Sequence, residues 1–98
     1  MERRASMKEE IRHDAARQRY SLVIDDVEAY LTYERTAPGH RQITHTIVPD
    51  TLGGQGLGKK LVTRIMDDII AAGETVSSSC WFATGLIGTR PEWKRQLV

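Results

Sequence analysis

Residues 49–73 read PDTLGGQGLGKKLVTRIMDDIIAAG, and this stretch decides the fold. It begins as a glycine-rich turn and continues as the one strongly periodic helix of the sequence, because large apolar residues recur there at helical spacing. These residues are Leu57, Leu61, Val62, Ile65, Met66, Ile69 and Ile70. Gly73 follows them where a left-handed cap is expected. The pattern predicts an amphipathic helix that ends just before Gly73.

Glycines are crowded at the mouth of this helix: Gly53, Gly54, Gly56 and Gly58. Each glycine disfavours helix by roughly 1 kcal/mol relative to alanine, so their presence calls for a reason. A backbone without Cβ atoms lets a ligand approach closely, and the N–H groups at a helix N-terminus suit a phosphate or diphosphate. A glycine-rich turn that merely joins a strand to a helix, with no ligand, remains the alternative.

Three ligand motifs compete for this turn. Gly53 and Gly58-Lys59 fit the Walker A spacing, but Lys60 replaces the Ser or Thr that would bind magnesium. The dinucleotide fingerprint fails, since Lys59 occupies its third glycine position. The diphosphate loop of acetyl-coenzyme A-binding enzymes, Gln/Arg-x-x-Gly-x-Gly/Ala, is matched at Gly56 and Gly58 and lacks its leading residue at Gly53.

Length and charge limit the classes of protein. With 98 residues the chain suits one domain, predicted over residues 11–98 behind a flexible tail at residues 1–10. The net charge of +1 gives no general attraction to nucleic acid or membrane, and no apolar run is long enough for a membrane span. We therefore expect no nucleic-acid or membrane partner, and a monomer or weak homodimer.

The cysteine and histidine content bears on compartment and metals. A single cysteine, Cys80, excludes an internal disulfide and fits a reducing cytoplasm, as does the lack of a secretory signal at the N-terminus. The three histidines are scattered, so no metal site is expected. We predict a cytoplasmic protein without a metal.

The segment before the glycine turn reads as three strands. Residues 19–24 and 27–34 alternate apolar and polar side chains around a turn at Asp25-Asp26, as in an antiparallel pair. Residues 41–48 form the third strand, with Ile43, His45 and Ile47 expected on one side.

A weaker strand, residues 74–80, follows the helix, so strand, helix and strand form a β-α-β unit with parallel strands. Connectivity then places Val48, Cys80 and the helix N-terminus at one carboxyl edge of the sheet, where ligands of open α/β sheets bind. Short helices are expected around residues 82–87 and from Pro91. We interpret Trp81 and Trp93 as packing residues rather than ligand platforms.

Several segments together resemble the small, minimal GCN5-related N-acetyltransferases. They are the strand end 45–49, the loop 54–58, Lys60-Leu61, Ser79-Cys80 and residues 90–93. The resemblance implies a shortened α/β (α+β) fold of that family. Its antiparallel strands lead into a β-α-β unit with a parallel strand pair, and short helices follow at the C-terminus.

The resemblance also implies a site for acetyl-coenzyme A. The backbone at Ile47 and Val48 would face the acetyl-pantetheine arm, and Cys80 would lie beside the thioester as a catalytic cysteine. The diphosphate would be held by Gly53, Gly54, Gln55, Gly56, Leu57, Gly58 and Lys59. Two departures from the family pattern are Ile47, at a position that is often Glu, and Gly53, where a basic or amide residue is usual.

The chemistry of transfer needs a base, stabilisation of an oxyanion and a proton for the leaving thiolate. Cys80, with an ordinary thiol pKa near ~8.5, suits a nucleophile or an acid, although a buried packing cysteine is equally common. His45 is a candidate base, against a histidine hydrogen-bonded in the sheet.

We therefore expect an acetyl-coenzyme A-dependent N-acetyltransferase, acting on a small amine or on a protein lysine or N-terminus. A non-catalytic coenzyme A-binding module is the alternative. A nucleic-acid or partner-binding domain would need a basic or aromatic stripe, which the sequence lacks.

Overall fold

The computed structural model describes residues 10–98, so the tail predicted over residues 1–10 lies, apart from Glu10, outside the described residues. The strands are β1 (Ile11–Asp14), β2 (Arg19–Ile24), β3 (Val27–Ala37), β4 (His40–Ile47) and β5 (Thr75–Ser78). The helices are α1 (Leu57–Ala71), α2 (Trp81–Ile87) and α3 (Pro91–Lys94), and a 3₁₀ turn spans Asp50–Leu52. The strands form one sheet in sequence order, antiparallel from β1 to β4 and parallel between β4 and β5. The predicted fold class is confirmed.

The hairpin of β2 and β3 follows the sequence pattern closely. Asp25 and Asp26 join the strands with φ of 52° and 67°, the left-handed region that a tight hairpin turn demands and that Asp tolerates. Strand β3 extends to Ala37, three residues past the predicted end. Strand β1 was not predicted, because Ile11 is its only apolar residue and the side chains that follow are exposed.

Helix α1 packs across β2, β3, β4 and β5 and supplies much of the core. Six of its seven predicted apolar residues are buried, whereas Ile70 is exposed. The helix ends as expected, since Gly73 has φ of 68° and its N–H group bonds the carbonyl of Ile70. Removing apolar area from water stabilises the folded state by about 25 cal/mol per Å². Burial of this face therefore holds α1 against the sheet.

A bulge in β4 changes which residues face α1. His45 pairs with Thr32 of β3 and Ile43 pairs with Tyr33, so Thr44 is the extra residue and the alternation of side chains reverses there. Ile43 is buried beneath α1, but His45 and Ile47 lie on the opposite face and are exposed. The prediction that all three share one side of the strand was therefore wrong.

The two tryptophans differ in environment. Trp93 is 2% exposed and belongs to the core, with the guanidinium of Arg90 stacked 4.3 Å from its ring centroid. Trp81, the first residue of α2, is 85% exposed. The packing role predicted for both residues is thus confirmed for Trp93 and wrong for Trp81.

A polar and aromatic cluster fills the space between the sheet and the C-terminal half of α1. Arg41 is buried, and its guanidinium donates to Glu74 at 2.8 Å and to the Tyr20 hydroxyl at 3.0 Å. Tyr20 in turn donates to Asp68 of α1 at 2.6 Å. Burial and, secondarily, the bond to Asp68 raise the pKa of Tyr20 far above its ordinary value, so the hydroxyl keeps its proton.

His13 of β1 completes this cluster. Its ring stacks on Tyr20, with ring centroids 4.0 Å apart, and its Nε2 lies 2.8 Å from the Tyr33 hydroxyl. Side-chain contacts therefore hold the edge strand β1 to the sheet, in addition to its backbone pairing with β2.

Candidate functional site

A cavity of about 520 Å³ opens at the carboxyl ends of β4 and β5, within the size range of ligand sites. Four parts of the chain surround it: the end of β4, the 3₁₀ turn, the glycine loop (residues 53–58) that leads into the first turn of α1, and the start of α2. The lining residues are Thr46, Val48, Pro49, Asp50, Leu52, Gly53, Gly54, Gly56, Leu57, Gly58, Lys59, Cys80, Trp81 and Phe82. The edge predicted from connectivity is where this cavity lies.

The cavity exists because β4 and β5 separate. Their parallel pairing ends at Ile43 and Ser78, and the last bond runs from the Ser79 N–H group to the Ile43 carbonyl at 2.9 Å. Strand β4 then continues to Ile47, whereas the chain after Ser79 turns away into α2. The gap between the two strand ends is thus open to a ligand.

The bulge turns Thr46 into this gap. Its methyl group lies 3.7 Å from where a Cβ on Gly58 would stand, and its hydroxyl accepts from the thiol of Cys80 at 3.7 Å. The thiol is therefore held between the two separated strands. Cys80 is free and partly buried, and its backbone N–H donates to the Ser78 hydroxyl at 3.2 Å.

The glycine loop presents bare backbone at the mouth of α1. Gly54 and Gly56 have φ of 79° and 70°, and a Cβ on either would meet no atom within 4 Å, so conformation and not crowding selects glycine. Gly56 is the N-cap and has no side chain to cap the helix. The first helical bond runs from Lys60 N–H to the Gly56 carbonyl at 3.1 Å. The N–H groups before Lys60 thus lack intrahelical acceptors and suit an anion.

Gly58 has a different reason for being glycine. A Cβ there would lie 3.0 Å from two ring carbons of Phe82, which is tighter than van der Waals contact allows. The first turn of α1 and the start of α2 therefore touch through this residue. A close approach of a ligand, which is the reason predicted for all four glycines, therefore does not account for Gly58, whose neighbour is a side chain of the protein itself.

The structure brings most of the predicted site residues together. Those that line the cavity are Val48, Gly53, Gly54, Gly56, Leu57, Gly58, Lys59 and Cys80. Gln55 lies instead on a second cavity, of about 530 Å³, on the other flank of α1, which Gly56 and Lys59 also line. His45 and Ile47 line neither cavity, because the bulge turns them to the opposite face of the sheet.

Sequence reasoning missed several lining residues. Thr46 carries no prediction, because the sequence gives no signal of the bulge that turns it toward the cavity. The sequence predicts a packing role for Trp81 and a short helix at Phe82, and neither prediction indicates a place in the cavity wall. Asp50 and Leu52 lie in the 3₁₀ turn between β4 and the glycine loop. Their closeness to Gly53 in the sequence is the one signal that could have placed them at the cavity.

No metal-binding group of three or more His, Cys, Asp or Glu side chains occurs within residues 10–98. In the same range, no helix combines the length and apolar character needed to cross a membrane.

Comparisons with known proteins agree with the fold. The sequence model of a family described as GCN5-related N-acetyl-transferase matches residues 19–97. Protein NATD1 of Xenopus tropicalis is 26% identical over 83 residues, which is 83% of this chain and 76% of that protein. Protein NATD1 of Mus musculus is 25% identical over the same shares.

A solved structure is also similar. It is the solution structure of a protein of Staphylococcus aureus that is described as GCN5-like. The two superimpose with a TM-score of 0.75 at 26% identity, over 93% of this chain and 89% of the other.

Proposed function

Because the chain belongs to the GCN5-related N-acetyltransferase family, we propose that it transfers the acetyl group of acetyl-coenzyme A to an amine. The observation that carries the proposal is the shared cavity, which is lined both by the uncapped first turn of α1 and by Cys80. The acceptor is an amine of a small molecule or of a protein lysine or N-terminus.

The residues present fit the coenzyme. Its diphosphate suits the N–H groups of Leu57, Gly58 and Lys59, which precede the first helical bond, and the ammonium of Lys59 adds positive charge. Strand β4 extends beyond its pairing with β5, so the edge of β4 past Ile43 faces the gap that the pantetheine arm would enter. When bound, the coenzyme supplies the acetyl group as a thioester.

Transfer breaks the thioester C–S bond as the amine nitrogen bonds to the acetyl carbon. The amine nitrogen loses one proton and the leaving thiolate gains one, so the products are an amide and the coenzyme thiol. Cys80 is the titratable thiol in the gap, and its hydrogen bond to Thr46 positions its sulfur there. We assign Cys80 to catalysis, as the acid that protonates the thiolate or as a nucleophile that carries the acetyl group.

The first test is of coenzyme binding, with two matched glycine variants. Gly56 and Gly39 both have positive φ, of 70° and 73°, and both face open space, but Gly39 lies in the hairpin of β3 and β4. Alanine at either position should cost about 1–2 kcal/mol of stability through backbone strain. Only Gly56→Ala should weaken binding of acetyl-coenzyme A, measured by calorimetry and by amide shifts of residues 54–59. Unmoved amides in the wild type would refute coenzyme binding at this loop.

The second test is of catalysis. Thiol release from acetyl-coenzyme A is followed with a panel of amines, and Cys80→Ala is compared with Cys80→Ser. A catalytic acid contributes about 10²- to 10⁴-fold, so Cys80→Ala should lose at least a hundredfold in kcat with its coenzyme affinity retained. Full activity of Cys80→Ala would assign the thiol to packing alone.

A second candidate function, a non-catalytic coenzyme A-binding module, is favoured by one observation. Among the described residues that line the cavity, Asp50 is the sole carboxylate and no histidine is present. A general base is thus less evident than a coenzyme site. Coenzyme binding by the wild type without thiol release for any amine would identify the module.

A further inference from the structure

Trp81 exposes a large apolar surface beside the cavity. Its side chain is 85% exposed, whereas Trp93 is 2% exposed in the core. Burying an aromatic side chain of this size would stabilise the fold by a few kcal/mol, and Trp81 forgoes that contribution. Aromatic side chains that line a cavity commonly contact ligands, and Trp81 is both exposed and part of the cavity wall.

The position of Trp81 relative to the helix mouth is set by Phe82. The Phe82 ring rests on Gly58, in the first turn of α1. The Trp81 ring meets Phe82 edge-on, with centroids 6.2 Å apart and an interplanar angle of 87°. The indole is thus one aromatic ring away from the N–H groups that suit a diphosphate.

The indole of Trp81 has open surface for stacking. The rings of Tyr20, Tyr30, Tyr33 and Trp93 each lie under an arginine guanidinium. Trp81 meets Phe82 in a perpendicular ring contact, and with 85% of the residue exposed most of the indole surface is open to solvent. An exposed aromatic ring of this kind can stack on a nucleobase.

We propose that Trp81 stacks on the adenine base of coenzyme A, an inference that rests on the proposed function. The coenzyme has one ribose between its diphosphate and its adenine. The protein likewise has one ring, that of Phe82, between the first turn of α1 and the indole of Trp81. The diphosphate at the loop and the base on the indole would then be held together, and Trp81 is a coenzyme-binding residue rather than part of the acceptor site.

The test compares two acetyl donors. Acetyl-coenzyme A carries the base, and acetyl-phosphopantetheine lacks the whole adenosine. Base stacking on an aromatic ring is worth about 1–3 kcal/mol, so Trp81→Ala should weaken acetyl-coenzyme A binding roughly 5- to 150-fold. Its affinity for acetyl-phosphopantetheine should not change. Trp81→Phe, which keeps a ring, should lose less than Trp81→Ala.

Fluorescence gives a readout independent of activity. The chain has two tryptophans, so Trp81→Phe leaves only the buried Trp93. Adenosine 3′,5′-bisphosphate should quench the emission of the wild type and leave that of Trp81→Phe unchanged. Circular dichroism confirms that both variants remain folded, as an exposed position allows.

Three results would overturn the inference. Equal losses for both donors would place the indole on the pantetheine arm, and a change confined to the acceptor KM would place it in the acceptor site. Unchanged affinity of Trp81→Ala for acetyl-coenzyme A, with acetyl transfer intact in the wild type, would remove the stacking role and leave the proposed function standing. Failure of the wild type to bind either donor would instead refute the proposed function itself.

Discussion

Two regions beside α1 differ. At the paired end, next to the C-terminal half of the helix, charged and aromatic side chains bond to one another. At the open end, next to its first turn, a cavity is lined by bare backbone and a thiol. At the first end, Arg41 bonds both Glu74 and Tyr20, and Tyr20 bonds Asp68. At the second, the strands separate and Gly56 leaves the helix uncapped.

The difference shows which end is complete without a ligand. No buried side-chain nitrogen or oxygen within residues 10–98 lacks a hydrogen-bond partner, so the buried polar side chains of the paired end are satisfied within the protein. The N–H groups of the open end still need acceptors, which water or an anion supplies. We expect substitutions at the paired end to change stability and substitutions at the open end to change coenzyme binding.

The largest expected effect comes from breaking the paired end. Arg41→Met should lower the free energy of unfolding by about 3 kcal/mol, because it leaves the Glu74 carboxylate without its buried partner. Arg35 is the matched control, since it pairs with the same carboxylate at 2.9 Å from a side chain that is 41% exposed. Arg35→Met should cost less than about 1 kcal/mol. Urea unfolding measures both, and equal losses would contradict a special role for the buried arginine.

An intermediate effect is expected at the open end. In Gly58→Ala the new methyl group displaces the Phe82 ring, which lines the cavity, so acetyl-coenzyme A affinity should fall about tenfold, or about 1.4 kcal/mol. Stability should change little, because the gain of about 1 kcal/mol in helix propensity offsets the crowding.

Gly85 is the control for this substitution. It lies in α2, where a Cβ meets nothing within 4 Å. Gly85→Ala should therefore stabilise the protein and leave coenzyme affinity unchanged, and calorimetry of the two variants measures the contrast. A Gly58→Ala variant that binds acetyl-coenzyme A as tightly as Gly85→Ala would contradict the separation of the two ends.

The smallest effect concerns the pH dependence of the paired end. Burial, followed by the positive charge of Arg41, lowers the pKa of His13 below 6.5, although Asp68 and Asp14 oppose this shift and Arg64 reinforces it. The folded state thus favours neutral His13. Its contribution to stability is complete above the unfolded pKa and is lost as the pH falls through the folded pKa.

The measurement is the urea midpoint between about pH 7 and pH 5, a window set by the His13 shift. His13→Phe keeps an aromatic ring on Tyr20 but cannot titrate, so its stability should fall less over this range than that of the wild type. The pKa of Glu74 is lowered from 4.5, so its titration lies below the window. Parallel curves for the two proteins would exclude His13 as the source of the dependence.

Much of the fold was predictable because its signals are local. The bounds of β2 and the start of α1 follow from alternation and helical periodicity, and the turn at Asp25-Asp26 and the end at Gly73 follow from the conformations those residues tolerate. Strand β1 carries no such signal, since it is held by its ladder to β2 and by the contacts of His13.

By itself the sequence determined the glycine loop, the amphipathic helix behind it and, through β-α-β connectivity, the meeting of that loop with Cys80 at one edge of the sheet. Only the tertiary structure decided that Thr46 faces the cavity while His45 and Ile47 face away, and that Trp81 is exposed. The physical reason is that periodicity and turn conformation depend on neighbours along the chain. The register of β4 against β3 and the exposure of an aromatic ring depend instead on packing against residues distant in sequence.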